Sequence, residues 1–226
     1  MQFQQILIRG VPGSGKSTLG RLLESEIPMA RRVSSGELMR KKATFDPSLA
    51  SALSAGELAD SRLVTHAVLE QVKRYYADGA RLIILDGFPR KLNEVKDWVS
   101  LTSSPTLVVH VIVSPAVVVQ ILLNRRICSS CGAMYNSFCD DEVRPILPKV
   151  TGKCDYCPSV FLTARSDDTE STILKRQAES VIVERSVSEY LSVLVGQANV
   201  VQVDSSDKPG AVKRVLHALG HPNSNS

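Results

Sequence analysis

The chain has 226 residues, 43% hydrophobic and 22% charged, a balance that suits one well-buried domain with small insertions and excludes a disordered or fibrous class. Its net charge of +4 would admit a nucleic-acid partner, but no long run of Lys and Arg occurs and aromatics make up only 5%, so anionic small molecules are the expected partners. No apolar run reaches the length of a membrane span and Met1 to Gln5 resembles no signal peptide, so a soluble, cytoplasmic protein without membrane or nucleic-acid partner is expected.

The first element is the apolar run Ile6-Leu7-Ile8, which leads into Gly10-Val11-Pro12-Gly13-Ser14-Gly15-Lys16-Ser17 and a helical-looking segment over residues 18–27. The pattern G-x-x-x-x-G-K-[ST] thus stands between strand and helix, as phosphate binding requires. Gly13 and Gly15 let the backbone turn around an anion and aim its N–H groups at phosphate oxygens, and the following helix points its positive end at the same place. Lys16 would reach the outer phosphates, and Ser17 would ligate a magnesium ion. Further β-branched apolar runs lie at residues 82–85, 107–113 and 200–203, with a weaker one at 31–33. They alternate with helical spacing at 62–76 and 173–194, which predicts a doubly wound α/β core around a five-stranded parallel sheet.

Between the second and third runs the chain turns polar, through Ser34-Ser35-Gly36-Glu37-Leu38-Met39-Arg40 and Gly56-Glu57-Leu58-Ala59-Asp60. Such a helical excursion would project beside the glycine loop, where open α/β sheets bind their ligands. The third run ends in Asp86-Gly87-Phe88-Pro89-Arg90. Asp86 is placed to hold magnesium, directly or through its waters, and Arg90 offers a bidentate fork to phosphate. After Asn124-Arg125-Arg126 comes an insertion with Cys128-x-x-Cys131 and Cys154-x-x-Cys157, 22 residues apart. Four thiolates at this spacing suit one structural zinc ion, with disulfides or metal-free thiols as the alternatives; an all-cysteine set leaves no open position for catalysis. Tyr135, Phe138, Tyr156 and Phe161 are expected to form the insertion's small core, and Cys139 is spare. Asp167 and Asp168 then precede a long helix carrying Arg176, either as part of its start signal or to orient neighbouring arginines.

Together these motifs, in this order and over essentially the whole chain, resemble the nucleoside monophosphate kinases, and among them the adenylate kinases with a long, zinc-bearing lid. The resemblance implies a P-loop core at residues 1–33, 64–126 and 165–220, a monophosphate-binding insertion at 34–63, a zinc-binding lid at 127–164 and a disordered tail at 221–226. It implies Mg-dependent transfer of the terminal phosphoryl group of ATP to AMP, with lid and insertion closing to exclude water. Lys16, Arg40, Arg90, Arg125, Arg165 and Arg176 would then be the catalytic cations. Gly13, Ser14, Gly15, Lys16, Ser17, Thr18 and Arg125 would hold ATP, with Met134, Tyr135 and the backbone near Lys208 against its base. Ser35, Gly36, Glu57, Leu58, Ala59 and Glu94 would line the AMP site with Gly87, Phe88 and Pro89 beside Arg90. A monomer is expected.

The chain departs from the family pattern in places. Glu94 stands where a glutamine is usual, and Ile121 where an arginine usually packs on the ATP base; Ser35 replaces a threonine, and the cysteine pairs lie further apart. A carboxylate only accepts hydrogen bonds, which suits guanine or cytosine better than adenine. The alternatives are therefore a kinase preferring GMP or CMP, a non-catalytic nucleotide-binding regulator of the same fold, and a zinc-ribbon nucleic-acid binder.

Overall fold

Strand β1 (Gln4–Arg9) is buried from Gln5 to Arg9, because it lies at the centre of the sheet with neighbours on both sides and helices on both faces. In the computed structural model, residues 3–140, 143–157 and 159–220 are described; the tail 221–226 lies outside them. With β2 (Ala30–Ser34), β3 (Leu82–Asp86), β4 (Leu107–Ile112) and β8 (Val200–Asp204), β1 forms a parallel sheet in the order β2-β3-β1-β4-β8. The weak run at 31–33 thus makes a true strand. It sits at the edge, where Arg31 and Arg32 need no apolar neighbour on one side.

The period of two along β1 divides the core. Leu7 faces a cluster with Leu85, Val68 and Val72 of α4 (Ser61–Ala77), Trp98 of α5 (Leu92–Leu101), and Val187 and Leu191 of α7 (Glu170–Val195). Ile6 and Ile8 face the other way, onto Leu19 and Leu23 of α1 (Lys16–Glu26) and Val215 of α8 (Lys208–Ala218). The Phe88 ring packs edge-on against Trp98 at 5.2 Å between centroids, both fully buried. Truncating Phe88 to alanine would cost about 3–5 kcal/mol. The loop that carries Arg90 is therefore anchored in the core two residues earlier.

Two helices, α2 (Ser35–Ala43) and α3 (Pro47–Ser54), stand between β2 and α4. Side chains cap each of these three helices: Ser34 accepts from the Glu37 N–H, Asp46 from Leu49, and Asp60 from Arg62 and Leu63. After α6 (Pro115–Leu123), a second, antiparallel sheet is built from β5 (Arg125–Cys128), β6 (Met134–Asn136) and β7 (Leu162–Thr163), in the order β6-β5-β7.

Candidate active site

The segment from Gly10 to Ser17 joins the end of β1 to the start of α1. Gly10 has φ 138°, and a Cβ there would stand 2.5 Å from the Val111 carbonyl oxygen, so only glycine fits beside β4. Gly15 is left-handed, φ 91°, and leads directly into the helix. The Lys16 ammonium donates to the carbonyls of Gly10 and Val11, each at 2.6 Å. Burial pushes its pKa down to about 8, against a smaller opposing pull from Asp86. Lys16 thus folds back onto the carbonyls of its own loop.

Lys16, Arg40, Arg90, Arg125, Arg165 and Arg176 all line one cavity of about 330 Å³, together with Gly13, Ser17, Asp86, Gly87, Phe88 and Pro89. A second cavity of about 280 Å³ shares Arg40, Arg90, Arg165 and Arg176 as its wall. It continues over Ser35, Gly36, Glu57, Leu58, Ala59 and Glu94. Six separate segments bring these cations together, and the fold places an elongated cleft between the glycine loop and the α2–α3 excursion.

The cations are not equivalent. Arg125 grips Asp168 with two bonds of 2.8 and 2.6 Å, while Arg165 and Arg176 both donate to Asp167, Arg176 at 2.9 Å. Burial works against a charge on Asp167, but Arg165, Arg176 and Arg125 outweigh it and hold its carboxyl below the usual range. Thr169, not either aspartate, caps α7 by accepting from the Thr172 N–H. Arg40 and Arg90, by contrast, have no carboxylate within 4.0 Å among the described residues. Arg40 is open to the cleft, yet its protein surroundings still desolvate it and, with Arg165 as the next cause, lower its pKa to about 10. Burial lowers Arg90 as well.

In the second sheet the sulfurs of Cys128, Cys131, Cys154 and Cys157 all lie within 4.8 Å of one another. A zinc ion with bonds of about 2.3 Å would set sulfurs roughly 3.8 Å apart, so the donor set fits tetrahedral zinc. The Cys131 and Cys154 sulfurs are already 3.5 Å apart. Around this cluster, Ala133, Tyr135, Val160 and Leu162 form the local core. The expectation of an aromatic core is corrected here: Tyr156 and Phe161 are 79% and 67% exposed, because so short a ribbon closes around its thiols and, among the described residues, buries a single ring. That ring is Tyr135, whose hydroxyl donates to the Cys154 sulfur at 3.7 Å and accepts from the Asp155 N–H at 2.8 Å. Its side chain is turned into the lid, which leaves its backbone as the part that could lie against a base.

Two family models match the sequence, one described as an AAA domain over residues 9–130 and one as the active-site lid of adenylate kinase over 125–167. Among relatives, an adenylate kinase of Nitrosococcus oceani is 30% identical over 209 residues, covering 89% of this chain and 91% of the relative. The chain belongs to the adenylate kinase family. An adenylate kinase of Thermosipho melanesiensis is likewise 30% identical, over 95% of this chain and 98% of its own, and one of Thermococcus kodakarensis is 32% identical over 76% and 75%. The protein is accordingly a phosphotransferase of the nucleoside monophosphate kinase type.

Within this adenylate kinase, Glu94 has work other than meeting a base. Its carboxylate is 3% exposed and accepts from the Ser61 hydroxyl at 2.9 Å and from the N–H groups of Arg90 and Lys91 at 2.7 and 3.3 Å, closing the start of α5. Asp86 accepts from Arg32 at 2.7 Å, and Arg32 also grips both oxygens of Glu37. Asp86 and the Ser17 hydroxyl face the same cavity, and hard oxygen donors of this kind fit magnesium. Ser14 is buried within the loop, Gly15 and Thr18 flank Lys16 at the helix start, and Ser205 lies 4.0 Å from where a Gly15 Cβ would be. Met134 and Lys208 line neither cavity.

Several site-adjacent residues carried no sequence signal. Arg9 donates to both oxygens of Glu184 and to the Pro89 carbonyl, and Arg21 joins Glu37 to the Gly132 carbonyl of the lid. Each is a single charge whose partners lie far away along the chain.

Proposed function

We propose that this adenylate kinase transfers the terminal phosphoryl group of MgATP to AMP, giving two ADP. An oxygen of the AMP phosphate attacks the γ-phosphorus of ATP; the new P–O bond forms as the bond to the ADP leaving oxygen breaks. The observation that carries this reading is the convergence of six cations on one cleft, three of which, Lys16, Arg40 and Arg90, lack any carboxylate partner among the described residues. Phosphoryl transfer needs charge neutralised and the attacking oxygen held in line, with little covalent help from protein groups.

On this reading the loop from Gly13 to Thr18 and Lys16 hold the ATP phosphates. Arg40 and Arg90 clamp the AMP phosphate, and Arg125, Arg165 and Arg176, set by Asp167 and Asp168, surround the group in transit. Ser35, Gly36 and the backbone of Glu57, Leu58 and Ala59 accept the AMP nucleoside, while Met134 and the backbone near Lys208 lie against the ATP base. Ser17 and Asp86 would hold magnesium, whose charge would offset that of the phosphates. Zinc on Cys128, Cys131, Cys154 and Cys157 would stiffen the lid so that it moves as one body; adenylate kinase lids are a standard example of such gating. A GMP- or CMP-selective site loses its support, because the Glu94 oxygens already accept three donors from protein. Free thiols suit the reducing cytoplasm, and no helix among the described residues is long and apolar enough to cross a membrane.

The test is a coupled assay with AMP, GMP, CMP and UMP as acceptors, run in both directions. AMP is expected to be the preferred acceptor, and Lys16→Ala is expected to lower turnover at least about 100-fold. Near-normal turnover in that variant, or a preference for GMP or CMP, overturns the reading.

A further inference from the structure

Arg9 is the last residue of β1, and it precedes the glycine loop directly. A charge at this point of a buried strand is costly unless it is matched on every side. The match is complete at three nitrogens. Nε and Nη2 donate to the two oxygens of Glu184 at 3.0 and 2.9 Å, and Nη1 donates to the Pro89 carbonyl. The Arg9 side chain is 3% exposed, and the partner carboxylate is 25% exposed at the cavity wall. His110 of β4 stands on the far side of the carboxylate, its Nδ1 3.8 Å from Glu184 Oε1.

What this guanidinium joins gives it a role beyond filling the core. Its backbone enters the loop that carries Lys16; the carbonyl it holds belongs to the residue before Arg90. Its carboxylate partner lies on α7 eight residues after Arg176, about 12 Å further along the same helix. With all three nitrogens engaged, Arg9 is poorly placed to grip phosphate itself.

We propose that Arg9 and Glu184 are positioning residues: their buried fork fixes the Pro89–Arg90 segment against the glycine loop and α7, and so sets the acceptor phosphate in line with the triphosphate. This rests on the assignment of Arg90 to the acceptor phosphate. Lys16 makes no hydrogen bond to the fork, and the two charges of the fork act on it in opposite directions, so removing both together acts on the acceptor side. A displacement of about 1 Å between reacting groups costs on the order of 100-fold in rate.

The decisive variant is the double replacement R9M/E184L, which removes both charges and leaves no uncompensated ion in the core. Thermal melting and full two-substrate kinetics are measured beside wild type, R9K and R90A. The expected result is a double variant that melts within a few degrees of wild type, with kcat lowered about 10- to 100-fold. Its KM for AMP rises about tenfold while its KM for ATP stays within about twofold. R9K, which keeps the charge and loses the fork, is expected to fall between. A purely structural pair would shift melting and leave both KM values and kcat per folded molecule unchanged, and that outcome overturns the proposal. If the double variant does not fold, E184Q serves: it keeps the shape and two acceptor or donor atoms, and unchanged kinetics for AMP in E184Q overturns the proposal equally. R90A separates the two readings. Full activity in R90A means that the acceptor-site assignment itself is wrong, whereas an inactive R90A beside a normal R9M/E184L removes the brace alone.

Discussion

The two halves of the cleft hold their arginines in opposite ways. On the lid side, Arg125, Arg165 and Arg176 are bound to the partly buried Asp167 and the buried carboxylate of Asp168, which hold each fork in one direction. On the side that we assign to the acceptor, Arg40 and Arg90 face no carboxylate among the described residues, and desolvation by the surrounding protein lowers the pKa of each. Net charge in the paired half is partly cancelled, so it can tolerate an empty site; the unpaired half is unfavourable until an anion enters. On the proposed roles, the difference separates orientation from affinity: aspartates would aim the groups that meet the phosphoryl in transit, and the acceptor's own phosphate would complete the rest.

The largest expected effect lies in the unpaired half. Arg90→Met should lower kcat/KM for AMP about 10³-fold, roughly 4 kcal/mol of transition-state stabilisation. The same change should leave the ligand-free protein at least as stable as wild type, since it removes a desolvated charge with no carboxylate to abandon. Urea unfolding without nucleotide, beside steady-state kinetics, checks both signs; a variant that loses activity and stability together contradicts the contrast.

In the paired half the sign of the stability change reverses. Arg125→Met strands Asp168, whose side chain is 1% exposed, with only the more distant Arg176 at 4.0 Å. Removing one partner of a buried pair costs about 3 kcal/mol. Unfolding midpoints for Arg125→Met and Arg90→Met in the same buffer should therefore move in opposite directions, or at least differ by about that amount.

A pH titration sharpens the comparison at the loop. Lys16 has its pKa lowered from 10.5 to about 8, chiefly by burial. Between those values the unfolded chain holds a proton that the ligand-free fold has released, so stability should rise with pH across this window. Phosphate binds the protonated form, so ATP affinity should fall above about pH 8, approaching tenfold per pH unit. Calorimetry at pH 8.5 in buffers of different ionisation heat should show proton uptake on binding in wild type and none of it in Lys16→Arg.

Much of the fold was legible because its signals are local. Continuous apolar runs mark strands buried on both faces, and even the short stretch at 31–33 kept Val33 pointing inward. The glycine loop was legible from spacing alone, and the four cysteines from their two pairs. What escaped was long-range or disguised. Arg9 and Glu184 are 175 residues apart in sequence, and Arg32 and Asp86 are 54 apart, so no window of sequence contains either pair. Glu94 sits at a helix start, but Lys91 occupies the position where a Ser or Thr would have announced a cap, and the carboxylate therefore read as a base contact. The lid misled through composition: aromatics suggest a core wherever they occur, but here four thiols take that place.

The smallest expected effect tests whether the two halves communicate. Arg21 of α1 donates to the Gly132 carbonyl, beside the thiol cluster, at 2.8 Å and to Glu37 of α2 at 3.1 Å. Lid and acceptor-side helix thus share one guanidinium. Both side chains are about a third exposed, 32% and 40%, so the contact is worth about 1 kcal/mol at most. That corresponds to about a fivefold shift in the balance between open and closed lids. Where opening limits turnover, weakening a closed-state contact speeds release, so Arg21→Met should raise kcat two- to fivefold while raising KM for ATP by a similar factor. Added salt should move wild type in the same direction and leave Arg21→Met nearly unchanged, because it screens a half-exposed pair that the variant no longer has. Equal salt responses in the two proteins would show that Arg21 does not link the halves, and the contrast between them would then arise from each half's own carboxylates alone.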